Sequence, residues 1–282
     1  MGRTRKVIST SVIASPVRGE AIAESRNIKL TIEYDGTDFS GWQKQSTRPS
    51  IQGEIQQAVH AVTREQVKLV GAGRTDAGVH ALGQVANFLT AGRLRADRFP
   101  AALNAHLPET IRILEAAEVA ADFHARYSAV GRTYRYVILN RPAPSAILRH
   151  HAWHLSQPLD VGAMHRAASA LLGRHAFTAF RGVGSGERST VCDLRVAEVA
   201  RKDDMVILAF EADRFLRHMV RLVTGTLVGV GLGKTVADEV GRILTSEDNR
   251  RAGPRAPAYG LFLVRVTYRN AGNEGAGSAV GK

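Results

Sequence analysis

Thiols are almost missing from this chain, which has one cysteine, Cys192, in 282 residues. A single thiol excludes an internal disulfide and any zinc cage built on cysteines, and it suits a reducing, cytoplasmic setting. Long apolar runs are missing as well. No stretch reaches the ~20 residues that a membrane helix requires, so no membrane role is expected. The only apolar patch near the start, Val12-Ile-Ala14, is too short and too interrupted by Ser and Thr for a secretory signal, while Glu20 and Glu24 argue against a transit peptide. Acidic residues are in deficit, with 26 Asp and Glu against 38 Lys and Arg, a net charge of +12. An excess of that size points to a polyanionic partner, nucleic acid first among them. Residues 1–27 hold Arg3, Arg5, Lys6, Arg18 and Arg26 against Glu20 and Glu24, so most of the positive charge belongs to the folded body.

What is present is ordinary globular material, 44% hydrophobic and 23% charged. Residues 28–34 alternate as a strand does, and residues 51–64 repeat apolar side chains at helical spacing. Strands are expected at 67–70 and 85–89, a helix at 96–106 and a strand at 111–119. That order is β-α-β-β-α-β. The pattern recurs with a strand at 133–140, a helix at 159–172, strands at 194–200 and 205–212, a long helix from about 215, another at 236–245, and a strand at 261–268. The expected class is therefore α+β, with two ferredoxin-like (RRM-like) halves, 27–130 and 131–269, whose antiparallel sheets join around a basic cleft. Residues 1–26 read as a disordered basic extension and 270–282 as a flexible tail.

The densest chemistry lies in Gly73-Arg-Thr-Asp-Ala-Gly-Val-His-Ala81, a glycine-framed loop between two strand-like segments. Glycine admits backbone angles that hold a polar side chain at one place, and Asp76 beside a cation is one way to present an ionised nucleophile. Taken alone, the loop reads sooner as an ordinary tight turn in which Asp76 caps backbone amides. In the segment Arg132-Thr-Tyr134-Arg-Tyr136, the two tyrosines share a strand face and Arg135 takes the other. Tyr136 reads as a core residue, whereas Tyr134 reads either as core or as a surface for stacking an unpaired base. Arg214, Arg217 and Arg221 are spaced about one helical turn apart among apolar neighbours. An arginine so embedded requires an anionic partner, and for Arg221 the candidate is Asp76.

Three tempting features are refused. Gly229-Val-Gly-Leu-Gly-Lys-Thr235 resembles a phosphate-binding loop, but position 228 is valine where that motif needs glycine, so it reads as a helix end. His150, His151 and His154 have no carboxylate or thiol at ligand spacing and read as a solvated or packed set. Cys192 has no activating neighbour in sequence and reads as structural.

Together these segments resemble the tRNA pseudouridine synthase A (TruA) family. The likeness runs from about residue 28 to 268 through Glu33-Tyr-Asp-Gly36, Gly41-Trp-Gln43, the Asp76 loop, Gly83-Gln-Val85, Phe123-His-Ala-Arg126, Arg132–Tyr136, Phe215-Leu-Arg-His-Met-Val-Arg221, Ala256-Pro257 and Gly260-Leu-Phe-Leu263. The resemblance implies isomerisation of uridine to pseudouridine at positions 38–40 in the anticodon stem-loop of tRNA, by a homodimer that uses no cofactor and no metal. It implies Asp76 as the nucleophile, attacking either the sugar or the base ring. Tyr134 would then stack on the flipped base and assist proton removal at C5, Arg74 would support the vacated space, Arg221 would hold Asp76, and Leu261 would pack over the site. A non-catalytic RNA-binding or chaperone protein of the same fold is the alternative. The basic extension and the loop Gly182-Val-Gly-Ser-Gly-Glu187 fall outside the resemblance.

Overall fold

The computed structural model describes residues 25–184, 186 and 189–269. Residues 1–24 of the expected extension and the tail from 270 therefore lie outside the described residues, while Arg26 already opens the first strand. In β1 (Arg26–Tyr34), Ile28, Leu30 and Ile32 alternate into the core and are fully buried, as period-2 patterning demands. Helix α1 (Ile51–Thr63) starts at Ser50, whose hydroxyl accepts from the Gly53 amide. Its buried residues Ile51, Ile55, Ala58 and Val59 form one stripe. The helix ends where Arg64 turns left-handed, at φ 63°.

The first half continues with β2 (Val70–Gly71), β3 (His80–Thr90), α2 (Phe99–Asn104) and β4 (Ile111–Val119). It passes to β5 (Ala129–Asn140), β6 (Trp153–Leu155), α3 (Val161–Ser169), β7 (Gly173–Ala176), β8 (Val191–Lys202), β9 (Met205–Ala212), α4 (Met219–Gly231), α5 (Glu239–Ser246) and β10 (Leu261–Tyr268). All ten strands form one open sheet ordered β4-β1-β3-β10-β5-β9-β8-β7, with β2 on β3 and β6 on β5. The class is thus mixed α+β. Among the described residues no helix is long and apolar enough to cross a membrane.

The join at the sheet's centre positions the site. β3 pairs with β1 along its length, but its other edge is shared. His80 and Ala81 pair in parallel with Phe262 and Leu263 of β10, whereas Ala86 and Asn87 pair with β2. The loop from Ala72 to Val79 leaves the sheet at this fork.

Several elements differ from the sequence reading. The strand expected at 67–70 shrinks to Val70–Gly71. The Trp42 ring lies so close to Gly71 that a Cβ there would come 2.5 Å from its Cε2. The helix expected from about 215 begins only at Met219, because His218 takes a left-handed conformation at φ 61°. Arg214 and Arg217 therefore precede the helix, and the three arginines do not share a helical face. The refused phosphate loop is a helix stop. Lys234 N–H donates to Gly229 O and Gly233 N–H to Val230 O, both at 2.9 Å, with Gly233 at φ +68°. Cys192 is fully buried in β8.

Candidate active site

The loop carrying Asp76 is fastened at several points by backbone and buried hydroxyl groups. Trp42 N–H donates to Thr75 O at 3.1 Å, and the Tyr34 and Thr75 hydroxyls lie 2.8 Å apart in the core. Gln84 donates to Gly73 O at 3.0 Å. Gly41, at φ +96°, lets its chain approach so closely that a Cβ would come 2.5 Å from Thr75 O. These contacts fix where the Asp76 carboxylate emerges. Its side chain is 29% exposed.

Arg221, in the first turn of α4, lies with Nη1 2.7 Å from Asp76 Oδ2. Its Nε donates to Ala256 O at 2.8 Å, so the guanidinium is held at both ends. His218, just before α4, brings Nε2 to 3.5 Å from the same Oδ2. Among the described residues both of these contacts fall on Oδ2, so the carboxylate is anchored through one oxygen. His218 was not singled out from the sequence. Burial lowers its pKa below the ordinary value; Asp76 opposes that shift, and Arg255, Arg217 and Arg221 reinforce it. Nη1 of Arg255 lies 3.0 Å from its Nδ1 and 3.2 Å from its Nε2. Gly182 abuts the same ring, with room for no side chain, since a Cβ would come 2.5 Å from Nδ1.

Tyr134 of β5 is 9% exposed and meets Phe215 edge-on, with ring centroids 5.1 Å apart. Burial pushes its hydroxyl up to about 12; Arg132 works against that shift and Asp76 adds to it. Tyr136 is wholly buried and donates to Pro257 O at 2.8 Å, the core role read from its sequence position. Leu261 is buried where β10 begins, opposite Tyr136. Arg74 is exposed on the rim of the loop, two residues from Asp76. Arg132, also not singled out as a site residue, ties the region together. Its Nη1 donates to Asp213 O at 2.7 Å, and its Nη2 to Ala72 O at 3.1 Å and Arg126 O at 2.8 Å. A shallow concavity of about 530 Å3, lined by Lys29, Thr31, Thr133, Arg265 and Tyr268, contains none of these groups.

For His151 the structure supplies the carboxylate that its sequence neighbourhood lacked. Its Nε2 lies 3.0 Å from Asp35 Oδ2, and His80 Nδ1 lies 3.1 Å from Oδ1. The His80 ring also holds hydrogen bonds of its own. Gly36 N–H donates to His80 Nδ1 at 3.1 Å, which occupies the lone pair a cation would need. His80 Nε2 lies 2.9 Å from His150 O and 3.1 Å from Tyr259 O.

Comparison with known proteins identifies the family. A family model described as tRNA pseudouridine synthase matches residues 30–128 and 167–269. A protein named tRNA pseudouridine synthase A from Acetivibrio thermocellus is 51% identical over 243 residues, covering 86% of this chain and all of its own. Proteins of the same name from Moorella thermoacetica and a Thermoanaerobacter species are 46% and 45% identical, each over 86% of this chain and 99% and 100% of their own. The chain belongs to the tRNA pseudouridine synthase family, isomerases that act on tRNA.

Proposed function

We propose that this chain isomerises uridine to pseudouridine at positions 38–40 in the anticodon stem-loop of tRNA, with Asp76 as the nucleophile. Family membership carries the reaction and the tRNA substrate. The observation that supports Asp76 as the nucleophile is its carboxylate, tethered through Oδ2 to the buried Arg221 yet 29% exposed. In the reaction the bond from N1 to C1′ breaks, a bond from C5 to C1′ forms, C5 loses a proton and N1 gains one. Nothing is oxidised and no group is donated. The target base must leave its stack, at a cost of a few kcal/mol, before a carboxylate on a rigid loop can reach it. Arg74, exposed at the rim, is suited to fill the space the base leaves. Tyr134 keeps its proton at neutral pH and lies within electrostatic reach of Asp76, and Leu261, buried opposite Tyr136, is suited to pack over the site.

The strand orders support reading residues 27–130 and 131–269 as two ferredoxin-like copies of one unit. The first runs β4-β1-β3-β2, and the second runs β10-β5-β9-β8 in matching positions. We read the working form as a cytoplasmic homodimer, as the resemblance implies. Incubation with unmodified tRNA followed by pseudouridine mapping tests the proposal. Pseudouridine confined to positions 38–40 is the expected result, and modification elsewhere, or none, overturns it.

A further inference from the structure

The turn between β4 and β5 has a shape that the isomerisation chemistry does not use. Tyr127 is 77% exposed, a position that wastes its apolar ring unless something covers it. A flexible loop would explain such exposure, but this turn is rigidly held. Ser128 N–H donates to His124 O at 2.9 Å, and His124 N–H to Ser128 Oγ at 3.1 Å. The Arg126 and Tyr127 amides both donate to His124 Nδ1, at 3.2 and 3.3 Å. Ala125 is clamped between Asn87, whose Oδ1 accepts from its amide, and Tyr268, whose hydroxyl donates to its carbonyl at 2.7 Å. The His124 ring in turn lies against Tyr127, with centroids 4.4 Å apart, and the Arg126 guanidinium carbon sits 5.7 Å from the Tyr127 ring centre.

The turn also lies beside the catalytic loop. One nitrogen of Arg132 binds both Arg126 O and Ala72 O, so a carbonyl within the turn and the one that opens the Asp76 loop share a single donor. An aromatic ring on a preorganised base, flanked by an exposed arginine, in a chain of net charge +12, suits an unpaired nucleobase with its phosphate. An apolar partner would leave Arg126 unpaired at the contact.

We propose that Tyr127 and Arg126 form a stacking platform for an unpaired base of the tRNA near the target uridine, held in register with Asp76 through Arg132. The inference rests on tRNA being the substrate but not on Asp76 being the nucleophile. It is tested in the full chain by measuring affinity for unmodified tRNA, single-turnover rate at saturating tRNA, thermal midpoint and sedimentation for Tyr127→Ala, Tyr127→Phe and Tyr127→Trp. Tyr127→Ala should bind about 5- to 150-fold more weakly, with the saturated rate within twofold and the thermal midpoint unchanged. The Phe and Trp variants should bind within about threefold of the parent, and the tryptophan emission should be quenched by tRNA. Unchanged tRNA affinity in Tyr127→Ala overturns the platform, as does a loss of affinity that tracks a change in oligomeric state, which would mark the ring as a protein contact. Either result would leave the Asp76 reading untouched.

Discussion

Arg221 holds Asp76 by one oxygen, Nη1 to Oδ2 at 2.7 Å, while its own Nε is pinned by the carbonyl of Ala256. The helix that carries the cation and the segment that anchors it thus jointly determine where the carboxylate points. Replacing Arg221 with Met keeps the side-chain volume and removes both bonds. Turnover should fall by about 100-fold or more as the carboxylate loses its alignment. Stability should fall by about 1–3 kcal/mol, less than for a fully buried pair because Asp76 is partly solvated. Single-turnover assays and urea unfolding read the two effects separately.

His218 reaches the same oxygen from a left-handed position that asparagine also tolerates. Its replacement by Asn should therefore preserve the start of α4 and the thermal midpoint while lowering kcat about 10-fold. The KM for tRNA should stay unchanged. A raised KM with kcat intact would instead assign His218 to RNA binding.

Tyr134 packs its ring edge-on against Phe215 and interacts electrostatically with Asp76. Tyr134→Phe should keep fold and tRNA affinity and lose about 100-fold in turnover, the scale of a missing proton-transfer group. Parental turnover in that variant would leave Tyr134 with a packing role alone.

Stability should fall at both ends of the pH range. Burial lowers the pKa values of His80 and His218 in the folded chain, so unfolding takes up protons and stability present at pH 7 is lost as pH drops below about 6.5. Burial raises Tyr34, Tyr134, Tyr136 and Tyr268, so the unfolded chain releases protons first and stability declines as pH rises above about 10. Urea midpoints from pH 5 to 11 should trace a plateau between the two losses. A midpoint that rises above pH 10 contradicts this account.

The sequence made some of this legible because the physics is local. Ile28, Leu30 and Ile32 alternate, Ser50 caps a periodic helix, and Arg221 sits among apolar residues that force it to find an anion, which the structure places at Asp76. Other parts depend on distant partners. His218 looks like one more helical residue until its left-handed backbone is seen, and periodicity carries no mark of that. Arg132 acts through backbone carbonyls, those of Ala72 and Asp213 far from it in sequence, and carbonyls leave no composition signal. The shortened β2 follows from the Trp42 ring pressing on Gly71, and the short edge strands β6 and β7 have too few residues for alternation to register.

The most direct measurement is Asp76→Asn assayed on unmodified tRNA, with binding followed in parallel. The change removes one negative charge and no cation, so affinity should hold within about threefold while pseudouridine formation falls below detection. Undiminished pseudouridine yield from that variant would contradict the assignment of Asp76 as the nucleophile.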